Sequence, residues 1–175
     1  MIIETPRLRL RNWWDSDRDA FAALHADPEV MRDYGGPLDR AASDAKLLRY
    51  RAAFDSHGFT RWATERLDGS FLGYVGLMPS HPGDPLAPHP DIGWRLIRSA
   101  WGQGFATEAA TAVLADAFTR CGLAEVVAYA THENRRSHAV MDRLGLQRDP
   151  ARDFEEADGR MLWRCQVWFA TAPGR

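Results

Sequence analysis

The chain has 175 residues, 45% of them hydrophobic and 26% charged, and a formal net charge of −2. That balance predicts one globular domain spanning 1–175 with a substantial core. The near-neutral charge excludes a global basic field for nucleic acid, and no apolar run approaches the roughly 20 residues that span a bilayer.

The opening MIIETPRLRLRNW lacks a signal-peptide core, so the cytoplasm is the expected compartment, with no membrane or nucleic-acid partner. Residues 7–12 alternate Leu8 and Leu10 with arginines, the period of a half-buried strand, and the arginine row reads as its solvated face. DSDRDAFAALHADP predicts a helix capped by Asp15 or Ser16, lined by Ala20, Phe21 and Leu24, and stopped by Asp27-Pro28. A second helix is expected from Asp39 to Phe54, ended by His57-Gly58. FTRWATER, the turn LDGS and FLGYVGLM then form a hairpin, with Asp68-Gly69 as the turn signal. Gly73 and Gly76 in its second arm predict a bulge or a close backbone approach.

Residues 79–90 hold five of the ten prolines, which predicts an ordered surface loop of the kind that carries substrate contacts. DIGWRLI reads as a strand, Thr107 to Arg120 as a helix with one buried face, and AEVVAYAT as a buried strand. A short helix from Asn134 to Leu144 ends at Gly145, and RMLWRCQVWF is the last strand. Cys121 and Cys165 are read as small buried hydrophobes, and no metal-type cysteine pairing is present, so no metal is expected. The fold class is α/β of the mixed α+β kind, a mixed sheet with helices on both faces rather than a uniformly doubly wound one.

WGQGFATEA, residues 101–109, places Gly102 and Gly104 directly before a helix. A tight turn explains this. So does an anion site, because the free N–H groups of a first helical turn bind phosphate without cationic side chains. The lysine and Ser/Thr of a P-loop are missing after Gly104, which argues against a nucleotide-binding protein of that type.

TPRLRLRNW, DPEVM, DIGWRL, WGQGFATEA and NRRSHAVMDRLGL together resemble the GNAT superfamily of acetyl-CoA-dependent N-acetyltransferases. More narrowly, they resemble its Rim-type branch, named for ribosomal-protein N-terminal alanine acetyltransferases. The resemblance covers nearly the whole chain. It implies a GNAT-like fold with a mostly antiparallel sheet splayed between its middle strands, acetyl-CoA as co-substrate, and an amine acceptor that is a protein N-terminus or a small molecule. It also admits a homodimer. The positions it assigns to the pyrophosphate are Trp101, Gly102, Gln103, Gly104, Phe105, Ala106 and Thr107. Backbone groups of Ile92, Gly93, Trp94 and Arg95 would hold the pantetheine arm and polarise the thioester. Asn134 and Ser137 match its N-x-x-S contacts to pantetheine, and Ser137 is the candidate to assist the departing thiolate. Asn134 also reads as a plain helix cap, and Arg135 and Arg136 as phosphate contacts or solvated residues.

Acetyl transfer needs a neutral amine. At pH 7 roughly 10% of an α-amine is neutral, against less than about 0.1% of a lysine. A carboxylate acting through water could take the proton, and Asp91, opening the central strand, is the first candidate. His89 and His132 are further candidates for the base. Trp13, Trp14, Trp62 and Trp94 are divided between core packing and an acceptor pocket. The competing function is a non-catalytic acyl-CoA-binding regulatory domain, which would keep the same loop without turnover.

Overall fold

A computed structural model describes residues 2–157 and 162–174. Its strands are β1 (Ile2–Glu4), β2 (Leu8–Arg11), β3 (Arg61–Arg66), β4 (Phe71–Met78), β5 (Asp91–Leu96), β6 (Glu125–Thr131), β7 (Gln147–Arg148), β8 (Phe154–Ala157) and β9 (Leu162–Thr171). Its helices are α1 (Arg18–Ala26), α2 (Pro28–Met31), α3 (Arg40–His57), α4 (Phe105–Thr119) and α5 (Arg135–Arg143). The strand order is β1-β2-β3-β4-β5-β6-β9-β7, with β8 also paired to β9. Every described pairing is antiparallel except β5–β6.

That exception shapes the molecule. β5 and β6 share a single registered pair, Asp91 with Val127, supported by the Val127 N–H donating to the Pro90 carbonyl at 3.0 Å. Beyond it the strands diverge, and the β6-facing edge of β5 is left without a strand partner. The mixed sheet, splayed at its centre and covered on both faces, is the architecture the sequence implies.

Alternation along each strand sorts the side chains into two layers. Leu8, Leu10, Trp62, Val75, Ile92 and Leu96 face α4, whose Phe105, Ala109, Val113 and Ala117 complete the larger core. Ala63 and Tyr74 face the other way, against Phe21 and Leu24 of α1 and Leu47 and Tyr50 of α3. Trp13 and Trp62 are core residues, whereas Trp14 is 55% exposed. Leu86 packs with Val127 and Val167, which anchors the proline-rich loop as an ordered segment. Cys165 is buried and Cys121 half-buried, both as free thiols.

Three local expectations change. Arg11 does not lie on a solvated face: it is 5% exposed and paired to both Asp17 and Glu65, at 2.8 and 2.7 Å, while Arg9 keeps the exposed role. Neither Asp15 nor Ser16 caps α1. A 3₁₀ turn over Asp15–Asp17 precedes that helix, and the Asp15 carboxylate instead accepts from Arg51. Helix α4 starts at Phe105 because Gly104, with φ 79°, is itself the N-cap. Arg160 and Met161, assigned to the last strand from the sequence, lie outside the described residues. Among those described, no helix is long and apolar enough to cross a membrane.

Candidate active site

The glycine loop is held rigidly. Trp101 donates its indole N–H to the Leu96 carbonyl at 2.8 Å. Gly102 and Gly104 then take φ of 73° and 79°, a region only glycine occupies without strain. The helical ladder opens with the Glu108 N–H donating to the Gly104 carbonyl at 3.0 Å, so the N–H groups of Phe105, Ala106 and Thr107 have no acceptor in the helix. From outside, Arg7 donates to the Gln103 carbonyl at 3.0 Å and to Glu108 at 2.6 Å. Although desolvation opposes ionisation of Glu108, hydrogen bonds from Thr5 and Arg7 hold its carboxyl below the usual range. The first turn of α4 is thereby tied to the N-terminal segment.

These donors border a cavity of about 810 Å³ lined by the end of β5, the first turn of α4 and α5. Of the residues expected at the cofactor, Trp94, Arg95, Trp101, Gly102, Gly104, Phe105, Ala106, Thr107, Asn134 and Ser137 line it. Three do not. Ile92 is packed in the α4-side core, and Gly93 lies under the Arg61 side chain. The Gln103 side chain accepts from Arg66 and donates to the Ser99 carbonyl at 2.6 Å, so it serves the loop rather than the cavity. Asn134 is a cap, its Oδ1 accepting from the Ser137 N–H at 3.1 Å, and both residues border the cavity. Arg136 borders it too, stacked 3.9 Å over the Trp101 ring, whereas Arg135 does not.

The candidate bases are dispersed. His132 is exposed and outside the lining, and His89, also outside it, sits 3.6 Å from Glu125. Asp91 is also outside the lining. It is ion-paired with Arg61, both side chains being largely buried. Burial pushes its carboxyl up while the Arg61 charge pulls it down, and the balance lies above the ordinary value.

Arg61 reaches Asp91 because Gly93 leaves room: a Cβ there would lie 2.7 Å from the guanidinium carbon and displace it. Arg61 was not among the residues singled out from the sequence, nor was the cluster around it. Register explains the assembly. Arg61, Gly76 and Gly93 align across β3, β4 and β5, as do Ala63, Tyr74 and Arg95. All four tyrosines and the only lysine, Lys46, gather near Arg61 and Arg95. Burial next to these cations lowers Lys46 to about 8. Burial raises the Tyr129 phenol, but the Asp91 charge raises it more. Alternating FTRWATER and DIGWRL show which residues share a face, but their meeting requires the β3–β4–β5 register.

A splayed sheet stands beside a glycine-capped helix N-terminus, and comparisons with known proteins identify the family. The model for the acetyltransferase (GNAT) domain matches residues 7–147. The chain is 36% identical over 161 residues to the N-acetyltransferase p20 of Bacillus licheniformis, covering 90% of this chain and 89% of that protein. It is 29% identical to the N-acetyltransferase YoaA of Bacillus subtilis, covering 85% and 84% of the two chains. The crystal structure of an acetyltransferase from Agrobacterium tumefaciens superposes with a TM-score of 0.83 at 27% identity, over 97% and 94% of the chains. RimL, the ribosomal L7/L12 alpha-N-protein acetyltransferase in complex with coenzyme A, covers 100% of both chains at TM-score 0.78 and 15% identity, which shows the fold alone. This chain belongs to the GNAT acetyltransferase family. It is an acetyl-CoA-dependent acyltransferase.

Proposed function

We propose that the protein transfers the acetyl group of acetyl-CoA to a primary amine by direct attack, using the cleft between β5 and β6. The observation that carries this reading is one cavity bordered at once by free helix N–H groups, the unpaired edge of β5, and Asn134 and Ser137. Its volume, about 810 Å³, lies in the range of small-molecule and cofactor sites. In this reading the N–H groups of Gly104 to Thr107 take the pyrophosphate. The backbone of Trp94 and Arg95 takes the pantetheine amides and polarises the thioester carbonyl.

The acetyl-CoA thioester supplies the acyl group. The amine nitrogen forms its bond to the carbonyl carbon, the carbon–sulfur bond breaks, and the sulfur leaves as thiolate. Ser137 is assigned to that thiolate, which leaves readily because an ordinary thiol ionises near pH 8.5. Asp91 is assigned the amine's proton, passed through water because its carboxylate is not among the groups that line the cavity. Its burial-raised pKa supports this assignment, since it makes the group a better base than a free aspartate.

Residues 1–175 are read as a single acetyltransferase domain: β9 lies beyond the family match yet pairs with β6 along the cleft. Placement in the Rim-type branch is supported by the motifs quoted above. The test compares thiol release from acetyl-CoA, over a panel of N-terminal Ala and Ser peptides, lysine peptides, amino acids, polyamines and aminoglycosides, with calorimetric binding of acetyl-CoA. Release with at least one amine is expected. Binding without release for every amine would instead identify an acyl-CoA-binding regulatory domain.

A further inference from the structure

The cleft holds a charge for which neither the fold nor the acyl-transfer chemistry accounts. Arg95 projects from β5 on the face opposite α4, is 5% exposed, and borders the cavity. Its Nε and Nη1 are buried with no hydrogen-bond acceptor, and no described carboxylate lies within ion-pair distance. Its guanidinium carbon lies 3.6 Å over the Tyr34 ring and 5.8 Å from the Tyr74 ring, which hold the plane in place without neutralising it. Buried charges in stable folds are ordinarily paired, because a desolvated guanidinium with idle donors is costly.

The nearby acids are already engaged. Asp91 is paired with Arg61. Asp33, on the cavity wall, lies 3.9 Å from both Arg32 and Arg136. Glu108 is held by Arg7 and Thr5. Lys46 and Arg61 add positive potential, and its effect is visible at Tyr74: although burial opposes ionisation, the charges of Arg95, Lys46 and Arg61 pull that phenol below its ordinary value. Arg95 thus brings to the cavity border a buried, unneutralised guanidinium held between aromatic rings, with Lys46 and Arg61 adding positive charge nearby. A guanidinium presents parallel N–H donors by pairing Nη2 with Nε or with Nη1, and either pair matches the two oxygens of a carboxylate.

We infer that the acceptor is a small amine bearing a carboxylate, of the amino-acid class, and that Arg95 determines this specificity by binding that carboxylate. This rests on the transferase reading above, and it excludes polyamines as good acceptors, since an ammonium would meet Arg95 directly. It also separates this chain from the spermidine N-acetyltransferase of Vibrio cholerae, which shares its fold at TM-score 0.74 and 16% identity.

The test uses matched acceptors: the proteinogenic amino acids, their α-carboxamides, β-alanine, 4-aminobutyrate, putrescine and spermidine, assayed by thiol release. The best carboxylate-bearing amine should exceed its uncharged counterpart by about a hundredfold or more in kcat/KM, the scale of a lost pairing to a buried polar group. Arg95→Gln should abolish that preference, read as the ratio of kcat/KM for the acid to that for its amide in the same variant, so that any common change in turnover cancels. Arg95→Lys should retain part of it. Equal rates for acids and amides, a preference for polyamines, or a loss of acetyl-CoA affinity in Arg95→Gln would overturn the assignment, the last by giving Arg95 to the cofactor. Calorimetry of the same amino acids into wild-type protein saturated with coenzyme A reads the pocket without turnover or a folded variant. Saturable binding by a carboxylate-bearing member and not by its amide supports the assignment even if no amine is acetylated, in which case the transferase reading fails alone. Binding by no carboxylate-bearing member overturns the assignment.

Discussion

Asp91 and Arg61 form a buried pair in which each is the other's countercharge, so removing one has two consequences. Asp91→Asn takes away the proposed proton acceptor and strands a guanidinium, a change that costs about 3–5 kcal/mol in comparable buried pairs. The expected result is a lowered melting temperature together with a fall in kcat/KM for the acceptor near the low end of general-base effects, about a hundredfold. The activity loss should shrink toward pH 10, where solvent deprotonates the amine unaided. Adding Arg61→Met should recover much of the melting temperature and none of the activity. A double variant that regains both would reduce Asp91 to a structural ion. At Ser137 the hydroxyl and the N–H have separate tasks, because the N–H is already bound by Asn134. Ser137→Ala should therefore leave stability unchanged and lower kcat by less than about a hundredfold, as expected for help to a group that leaves readily. An unaltered kcat where chemistry limits the rate would remove Ser137 from the reaction.

The element that matters most is the loop-helix junction from Trp101 to Thr107. A Cβ on Gly102 would meet nothing within 4 Å, and one on Gly104 would meet only the end of Arg7. Glycine is required there by the left-handed backbone, not by crowding within the protein. Gly104→Val thus carries a strain of about 1–3 kcal/mol and places a branched side chain where the phosphate is proposed to sit. Acetyl-CoA affinity by calorimetry should fall at least about tenfold, or roughly 1.4 kcal/mol. An unchanged affinity in a folded variant would move the phosphate elsewhere. The junction was legible in the sequence because glycine-x-glycine before a helix is a local signal. The short edge strands were not. β8 reads FEEA, with three of its four residues exposed, and its strand character comes from pairing with β9 rather than from a pattern of its own.

For the whole molecule, the α1/α3 layer contains a pH-sensitive element away from the chemistry. His25 is fully buried against Phe21, with ring centroids 4.3 Å apart; its Nδ1 lies 2.9 Å from the Phe21 carbonyl and its Nε2 lacks a partner. Burial lowers its pKa to about 3 from 6.5, so the unfolded chain binds the extra proton first as pH falls. Stability is therefore full above pH 6.5 and is lost progressively toward pH 3, by a few kcal/mol. His25→Leu should flatten the melting temperature between pH 6.5 and 4 relative to wild type, measured in parallel scans. The same acid slope in both proteins would assign the loss to carboxylates.

What the sequence determined by itself is whatever depends on near neighbours: the hairpin at Asp68-Gly69, the buried stripe of α4, the glycine loop and the Asn134 cap. Hydrophobic period, capping and backbone sterics act within a few residues, so they can be read along the chain. What only the tertiary structure decided depends on register between strands distant in sequence. Arg61 meets Asp91 across 30 positions because β3, β4 and β5 align two glycines beneath it. Arg11 is buried rather than solvated because Asp17 and Glu65 converge on it from separate elements. Arg95 reads as one polar residue in an apolar strand. It becomes an unpaired buried cation only when the layer of Tyr34, Tyr50 and Tyr74 closes over it. Desolvation is a property of that closed layer, and no local pattern records it.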